Sequence, residues 1–481
     1  MALNRYLTGL DETETKFDVS ASEVVDIESA VVQVCYRILE EVYELDNRFK
    51  TSRVLKTGSF YDGTKIRKPN EFDLMAVNEE LSRPGLCKAV RECPDAAGFA
   101  HVVTEDQSVA DRWKGITYSR EDGRLYIVPY HQFGSVQVRF GRMVRNAYER
   151  LCSRQRQRTI STPTGTLKMI QGGTNPVRPG CRFQLKWRSS STDAYNPLYI
   201  EVDLTFAVEV EVENDRQSAR NSLYLLVPVW CFECQEHSYN NITLCWRRSF
   251  SLIEKQMFEE MGHQHIHKRC NRVLKYLKDM FYLDTDPFQI SSYVIKTLVL
   301  RHEEQYKEKE HKCLEKCVLR ILHDLVHCCR EKELQSLHNA KCNIFAAVGK
   351  RKLIATEKAI RLVIAALRQI CERRIFRISA CNELTERLRY DMKRFRAELR
   401  KEDSKTVQHC FLNTECEKWL CGLAKTETKT KAGERDSAKG VSQYPYRRGH
   451  HRSCSSSRCS STSNNSSWVA SHAGVFRGAR F

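Results

Sequence analysis

Gly58-Ser59-Phe60-Tyr61-Asp62-Gly63-Thr64-Lys65-Ile66, followed shortly by Glu71-Phe72-Asp73-Leu74, joins a phosphate-holding turn to paired acids at strand spacing. Glycine lets backbone approach a polyphosphate closely, and Ser59 offers a hydroxyl and an N–H to phosphate oxygens. Glu71 and Asp73 alternate with Phe72 and Leu74, so on a strand both carboxylates face one way and both hydrophobes the other. Two carboxylates so placed suit divalent metals, which sit about 3.5–4 Å apart in two-metal phosphoryl sites. The segment therefore predicts nucleotidyl transfer.

Such a site needs a further carboxylate, and Tyr199-Ile200-Glu201-Val202-Asp203-Leu204-Thr205-Phe206 can supply it. Ile200, Val202, Leu204 and Phe206 form the expected buried face; Glu201, Asp203 and Thr205 form the other. Glu209, Glu211 and Glu213 continue the alternation, so periodicity leaves the choice of acid open and fits two half-solvated strands equally well.

The segment GSFYDGTKIRKPNEFDLM resembles the active-site segment of the cyclic GMP-AMP synthase (cGAS) and male-abnormal-21 family of nucleotidyltransferases. Trp246 to Lys255 resembles the family's helix start bearing an arginine and serines toward nucleotide. Leu274-Lys275-Tyr276-Leu277 and Ser291 to Thr297 resemble later segments that meet phosphates and stack on a base. The likeness runs over about residues 10–345. It implies that Glu71, Asp73 and Asp203 are catalytic and hold Mg²⁺ or Mn²⁺. It further implies that Gly58, Ser59, Arg247, Ser249, Lys275, Ser292 and Tyr293 bind the substrates ATP and GTP. Arg247 suits purine edges and phosphates as a planar fork, and Tyr293 suits base stacking. Surface cations near a helix start and a core aromatic are the plainer readings of the same two residues.

The chain has 78 Lys and Arg against 60 Asp and Glu, a net charge of +18. Arg139, Arg142 and Arg145 recur at i, i+3 and i+6, which makes a basic stripe on a helix. Lys50, Arg53 and Lys56 precede the active-site turn, after a long helix expected from about Ala21 to Arg48. These six are the candidate nucleic-acid contacts, suited to backbone phosphates. The DNA-sensing vertebrate members carry a zinc-binding thumb of one His and three Cys after the segment matched by 246–255. Here Gly262-His263-Gln264-His265-Ile266-His267-Lys268-Arg269-Cys270 runs almost directly into Asn271. That spacing suits no tetrahedral structural site, and no structural zinc is expected. Cys231, Cys234 and His237, with Cys245 farther on, form a slightly better ligand set. Without the thumb the chain resembles invertebrate cGAS-like receptors, which implies double-stranded RNA as activator, with DNA second. Duplex RNA is read by shape, backbone and 2′-OH contacts, which a basic groove can supply. The resemblance also implies a STING-type receptor downstream and oligomer formation on nucleic acid.

The 21 cysteines are odd in number and scattered from Cys35 to Cys459, unlike a secreted disulfide framework. No apolar run approaches the roughly 20 residues of a membrane helix, and Met1 to Val19 lack a signal-peptide core. The expectation is a soluble cytoplasmic chain with no membrane partner. The fold class expected is α+β: a two-lobed nucleotidyltransferase fold with a mixed α/β core, a long spine helix and a helical C-terminal lobe. The expected divisions are 1–215 for the core with a short leader before its spine helix, and 216–345 for the helical lobe. A helical extension follows at 346–424, and a basic Ser/Arg-rich disordered tail at 425–481. Two other classes share these features: a male-abnormal-21-type scaffold without turnover, and a synthase of linear oligoadenylate.

Overall fold

The structure, a computed structural model, describes residues 2–372 except 93–97, 121–122, 132–133, 177–179, 192–196, 213–222, 230, 232–241, 289 and 311–312, together with parts of 383–397. The expected tail at 425–481 lies outside the described residues, as do Cys234 and His237. Buried Cys231 and Cys245 are the described members of that ligand set.

The first half of the chain is α1 (Ala2–Thr13), α2 (Ala21–Leu45), β1 (Thr51–Thr57), α3 (Gly58–Tyr61) and β2 (Glu71–Asn78), then β3 (Lys88–Glu92), β4 (Phe99–Thr104), α4 (Gln107–Arg112), β5 (Thr117–Ser119), β6 (Leu125–Ile127), β7 (Tyr130–His131) and α5 (Val136–Ser153). Strands β8 (Thr159–Ser161), β9 (Gly165–Pro176), β10 (Gly180–Ser189), β11 (Leu198–Val212), β12 (Leu223–Pro228), β13 (Ile242–Thr243) and β14 (Cys245–Arg248) follow. The chain then turns helical with α6 (Ser251–Glu260), α7 (Ile266–Met280), α8 (Ser292–Glu310), α9 (Leu314–Glu331) and α10 (Lys350–Glu372). The α+β class agrees with the sequence reading, but the helical lobe expected from 216 begins only at α6, because β12 and β14 pair into the sheet beside β11 and β4.

Strand β11 is the common rib of the large sheet. Its first half pairs antiparallel with β10 and parallel with β2, and its second half pairs with β12 and β3. Ile200, Val202, Leu204 and Phe206 are buried as their alternation predicts. Beyond Thr205 the other face closes too, because Ala207 packs in a second cluster with Val77, Leu225 and Val227. Only the start of β11 therefore leaves its acidic face open to chemistry.

Helix α2 forms because Ile27, Ala30, Val31, Val34, Ile38 and Val42 recur at helical spacing and bury against the sheet and α5. Ser20 caps it, accepting from the Glu23 N–H at 3.2 Å, and Glu23 in turn accepts from the Trp187 indole at 2.7 Å. The helix ends at Leu45, and a short 3₁₀ turn carries the chain to Phe49.

The leader reading of residues 1–20 is corrected. Helix α1 buries Leu3, Tyr6, Leu7 and Leu10 and packs on α7, α9 and α10. Its Asp11 accepts from both Arg269 and Arg272 of α7, at 2.9 and 2.8 Å. The apolar i, i+3, i+4 pattern is present in ALNRYLTGL, and the interleaved polar residues obscure it. Helix α10 buries Ile360, Val363, Ile364, Leu367 and Ile370, and packs on α9 and α1 as its spacing predicts. Among the described residues no helix is long and apolar enough to cross a membrane. The described cysteines form no disulfide, and most are buried.

Candidate active site

The carboxylates meet because of strand register. Parallel pairing of β2 with β11 sets Glu71 opposite Glu201 and Asp73 opposite Asp203. Antiparallel pairing of β1 with β2 brings Thr57 opposite Asp73, so the chain enters the Gly58 turn directly over the Asp73 carboxylate. Gly58 has φ +78°, and a Cβ there would lie 1.9 Å from Asp73 Oδ2. No other residue fits both constraints. The short helix α3 then turns back, and the Ser59 carbonyl accepts from the Thr64 and Lys65 N–H groups at 2.9 and 2.8 Å.

Each flanking acid has a basic partner that sequence reasoning missed. Arg182, opposite Asp203 on β10, donates to it through Nε at 2.7 Å and Nη2 at 2.8 Å, and Nη1 reaches Glu201 at 2.9 Å. Lys65 Nζ lies 2.8 Å from Glu71. The set Glu71, Asp73 and Asp203 is all hard oxygen on adjacent strands, which fits Mg²⁺ or Mn²⁺. The two cations show how much negative charge the strands concentrate.

The helical segments supply the other wall. Lys275 on α7 is buried and donates to the Thr64 carbonyl at 3.2 Å and hydroxyl at 3.3 Å. Burial pulls its pKa down to about 7, against the opposing pull of Asp62. Tyr293, at the start of α8, donates to Glu254 of α6 at 3.1 Å. Burial, then Glu254, pushes its phenol well above the ordinary range. Arg247 on β14 lies within the electrostatic reach of Tyr293, and burial pulls its pKa down to about 10. Ser249 closes the strand, its N–H donating to the Leu225 carbonyl and its hydroxyl 2.9 Å from that of Ser251. Ser292 is half-buried beside Tyr293.

The strongest link between turn and helices is a buried ion triad. Lys296 on α8 lies 2.9 Å from Asp62 of the turn and 2.8 Å from Glu254 of α6, with all three side chains at 8% exposure or less. Burial lowers the Lys296 pKa, but Asp62 and Glu254 more than offset it and hold the ammonium charged. Asp62 and Lys296 stand inside GSFYDGTKI and SSYVIKT, yet no local pattern pairs residues so far apart.

The six candidate nucleic-acid contacts divide by element. On and before β1, Lys50 pairs with Glu79 at 3.0 Å, Lys56 with Glu28 at 2.8 Å, and Arg53 with Glu209. On α5, Arg142 and Arg145 are exposed. Arg139 is half-buried, and burial followed by the nearby Arg48 lowers its pKa.

Comparison with known proteins agrees with this architecture. Residues 266–362 match the family described as Mab-21 protein HhH/H2TH-like domain. This span covers α7 to α9 and the first half of α10, so the likeness extends past the limit of 345 read from the motifs. The chain is also 22% identical over 364 residues to cyclic GMP-AMP synthase of Mus musculus, covering 69% of this chain and 64% of that protein. The helical match and the likeness to that synthase both support a place for the chain in the cGAS/Mab-21 family of nucleotidyltransferases.

Proposed function

We propose that this protein joins ATP and GTP in two successive nucleotidyl transfers to make a cyclic dinucleotide, a cyclic GMP-AMP isomer, under control of a bound nucleic-acid duplex. The observation that carries the reading is the register of Asp73 with Asp203 beneath the Gly58-Ser59 turn. In each transfer a ribose hydroxyl attacks an α-phosphate, the P–O bond to pyrophosphate breaks, and the hydroxyl proton leaves to a neighbouring base. Glu71, Asp73 and Asp203 would hold Mg²⁺ or Mn²⁺, which would supply charge neutralisation on the phosphates. Ser59 holds a phosphate group, Arg247 meets a base edge, and Tyr293 offers a stacking face; Ser249, Lys275 and Ser292 complete the nucleotide contacts.

The activator we propose is double-stranded RNA, bound through Lys50, Arg53, Lys56, Arg139, Arg142 and Arg145, with several copies assembling on one duplex. The product would act on a STING-type receptor in the cytoplasm. The division into a core at 1–215, a helical lobe at 216–345 and an extension at 346–424 belongs to the same proposal, less α1, which packs with the helices, and less β12 and β14, which pair into the sheet. Ordering of the turn by the duplex requires that the duplex bind the ordered state more tightly.

The test is mass spectrometry with nuclease digestion of products formed from labelled ATP and GTP with Mg²⁺ or Mn²⁺, in the presence of duplex RNA, duplex DNA or neither. A cyclic dinucleotide formed with duplex RNA supports the reading; linear oligomers would replace it with the oligoadenylate class. One observation favours a scaffold without turnover: Lys65 and Arg182 already neutralise Glu71 and Asp203. Absence of any product and of nucleotide binding would establish that second reading.

Lys275 gives a further expectation. A base with its pKa near 7 is largely neutral at pH 8, and a bound triphosphate draws it back to the charged form. Nucleotide binding should therefore take up a proton above pH 7, and affinity should fall as pH rises from 7 to 9. Calorimetry in buffers of different ionisation enthalpy measures the uptake, and Lys275→Met should abolish it. Equal heats in all buffers would show that Lys275 does not face the phosphates.

A further inference from the structure

Three helices converge on a second cluster, remote in sequence from the acidic strands. His267 and Cys270 stand one turn apart on α7, His302 is on α8, and Cys317 is on α9. His267, Cys270 and Cys317 are fully buried and His302 is 2% exposed. His267 Nε2 lies 2.8 Å from His302 Nδ1. One ligand atom each from His267, His302 and Cys317 falls within 4.8 Å of the others. The Cys270 thiol reaches Cys317 by a side-chain hydrogen bond. Behind the cluster, His267 Nδ1 meets Glu303, whose other oxygen lies 3.8 Å from His265 Nε2.

We propose that His267, Cys270, His302 and Cys317 form a structural zinc site that fastens α7, α8 and α9 together. Tetrahedral Zn²⁺ with bonds near 2.0 Å to nitrogen and 2.3 Å to sulfur sets ligand atoms about 3.3–3.8 Å apart. To reach that spacing the cluster needs a small expansion of its 2.8 Å nitrogen contact and an inward turn of the Cys270 thiol, which lies beside Cys317 but outside the 4.8 Å group. Two imidazoles and two thiolates give an uncharged complex with Zn²⁺, the form that a dry interior tolerates. Glu303 has the position of the carboxylate that fixes a ligating histidine: with Nδ1–H given to Glu303, the Nε2 lone pair of His267 points into the cluster.

The ligands come from three helix cores, unlike a thumb inserted between two of them, and the proposal departs from the expectation of no structural zinc. Spacing within residues 262–270 could not show the site, because two ligands lie on later helices. The consequence is positional: α7 carries Lys275, and α8 carries Ser292, Tyr293 and Lys296. The inference rests on the helical packing and is independent of the proposed reaction.

Full-length protein purified without metal resins and dialysed against a weak chelator is expected to hold one zinc per chain by plasma mass spectrometry. After cobalt substitution it should show tetrahedral visible bands and a thiolate-to-cobalt charge-transfer band. Cys317→Ser and His302→Ala should lose both metal and bands, whereas His263→Gln, outside the cluster, should keep them. His302→Cys retains a ligand and should keep the metal with its cobalt bands moved to longer wavelength. Zinc-free wild type, a cobalt spectrum without the thiolate band, full zinc in Cys317→Ser, or unmoved bands in His302→Cys would each overturn the assignment.

Discussion

Asp73→Asn is expected to lower nucleotidyl transfer roughly a thousandfold or more while leaving the chain folded. The side chain is packed under Gly58 and opposite Asp203, so Asn fills the same space at the position where strand register concentrates negative charge. In the protein without nucleotide that charge is a mild liability, and its removal should leave thermal stability unchanged or slightly raised. In the transition state the carboxylate would hold the divalent cation that offsets charge on the transferring phosphoryl group. Losing about 4 kcal/mol there corresponds to a factor near a thousand. Pyrophosphate release measured beside a melting curve separates the two consequences. Wild-type turnover in Asp73→Asn would remove this carboxylate from the chemistry; a large fall in melting temperature would make its role structural.

The acidic strands were legible in the sequence because their information is local. A Gly-Ser turn, an alternating Glu-x-Asp and a second alternating strand need only period and spacing to be recognised, and the pairing of Asp73 with Asp203 in the structure follows from two strands lying in register. Arg182, Lys65 and the triad of Asp62, Glu254 and Lys296 were not legible. Their partners are set by which strands and helices pack together, and a buried lysine has no periodic signature distinct from a surface one. The same reason hid α1, whose Asp11 becomes intelligible only beside Arg269 and Arg272, and the His267 cluster, whose members lie on three helices. The basic residues show the converse case. A run of arginines is plain in sequence, but Lys50, Arg53 and Lys56 already hold acidic partners, leaving Arg142 and Arg145 as the more accessible cations.

Lys296→Met should produce the largest loss of stability among single substitutions near the site. The ammonium lies between Asp62 and Glu254, and these carboxylates are 1% and 5% exposed. Methionine nearly matches the lysine in length, so little packing is lost and the change isolates the charge. Without the cation, two acids from different segments face a shared dry space, and breaking such a buried network costs about 3–5 kcal/mol. Chemical denaturation should show that loss directly, and melting should fall by on the order of 10 °C. Lys296→Met combined with Asp62→Asn and Glu254→Gln should recover much of it, because the penalty lies in the uncompensated acids and not in a lost attraction. The recovered triple variant is then the informative one. It keeps the fold but loses the electrostatic tie between the Gly58 turn and helices α6 and α8. If that tie positions Ser59, nucleotide affinity will stay low although stability returns; if affinity returns too, the triad serves packing alone.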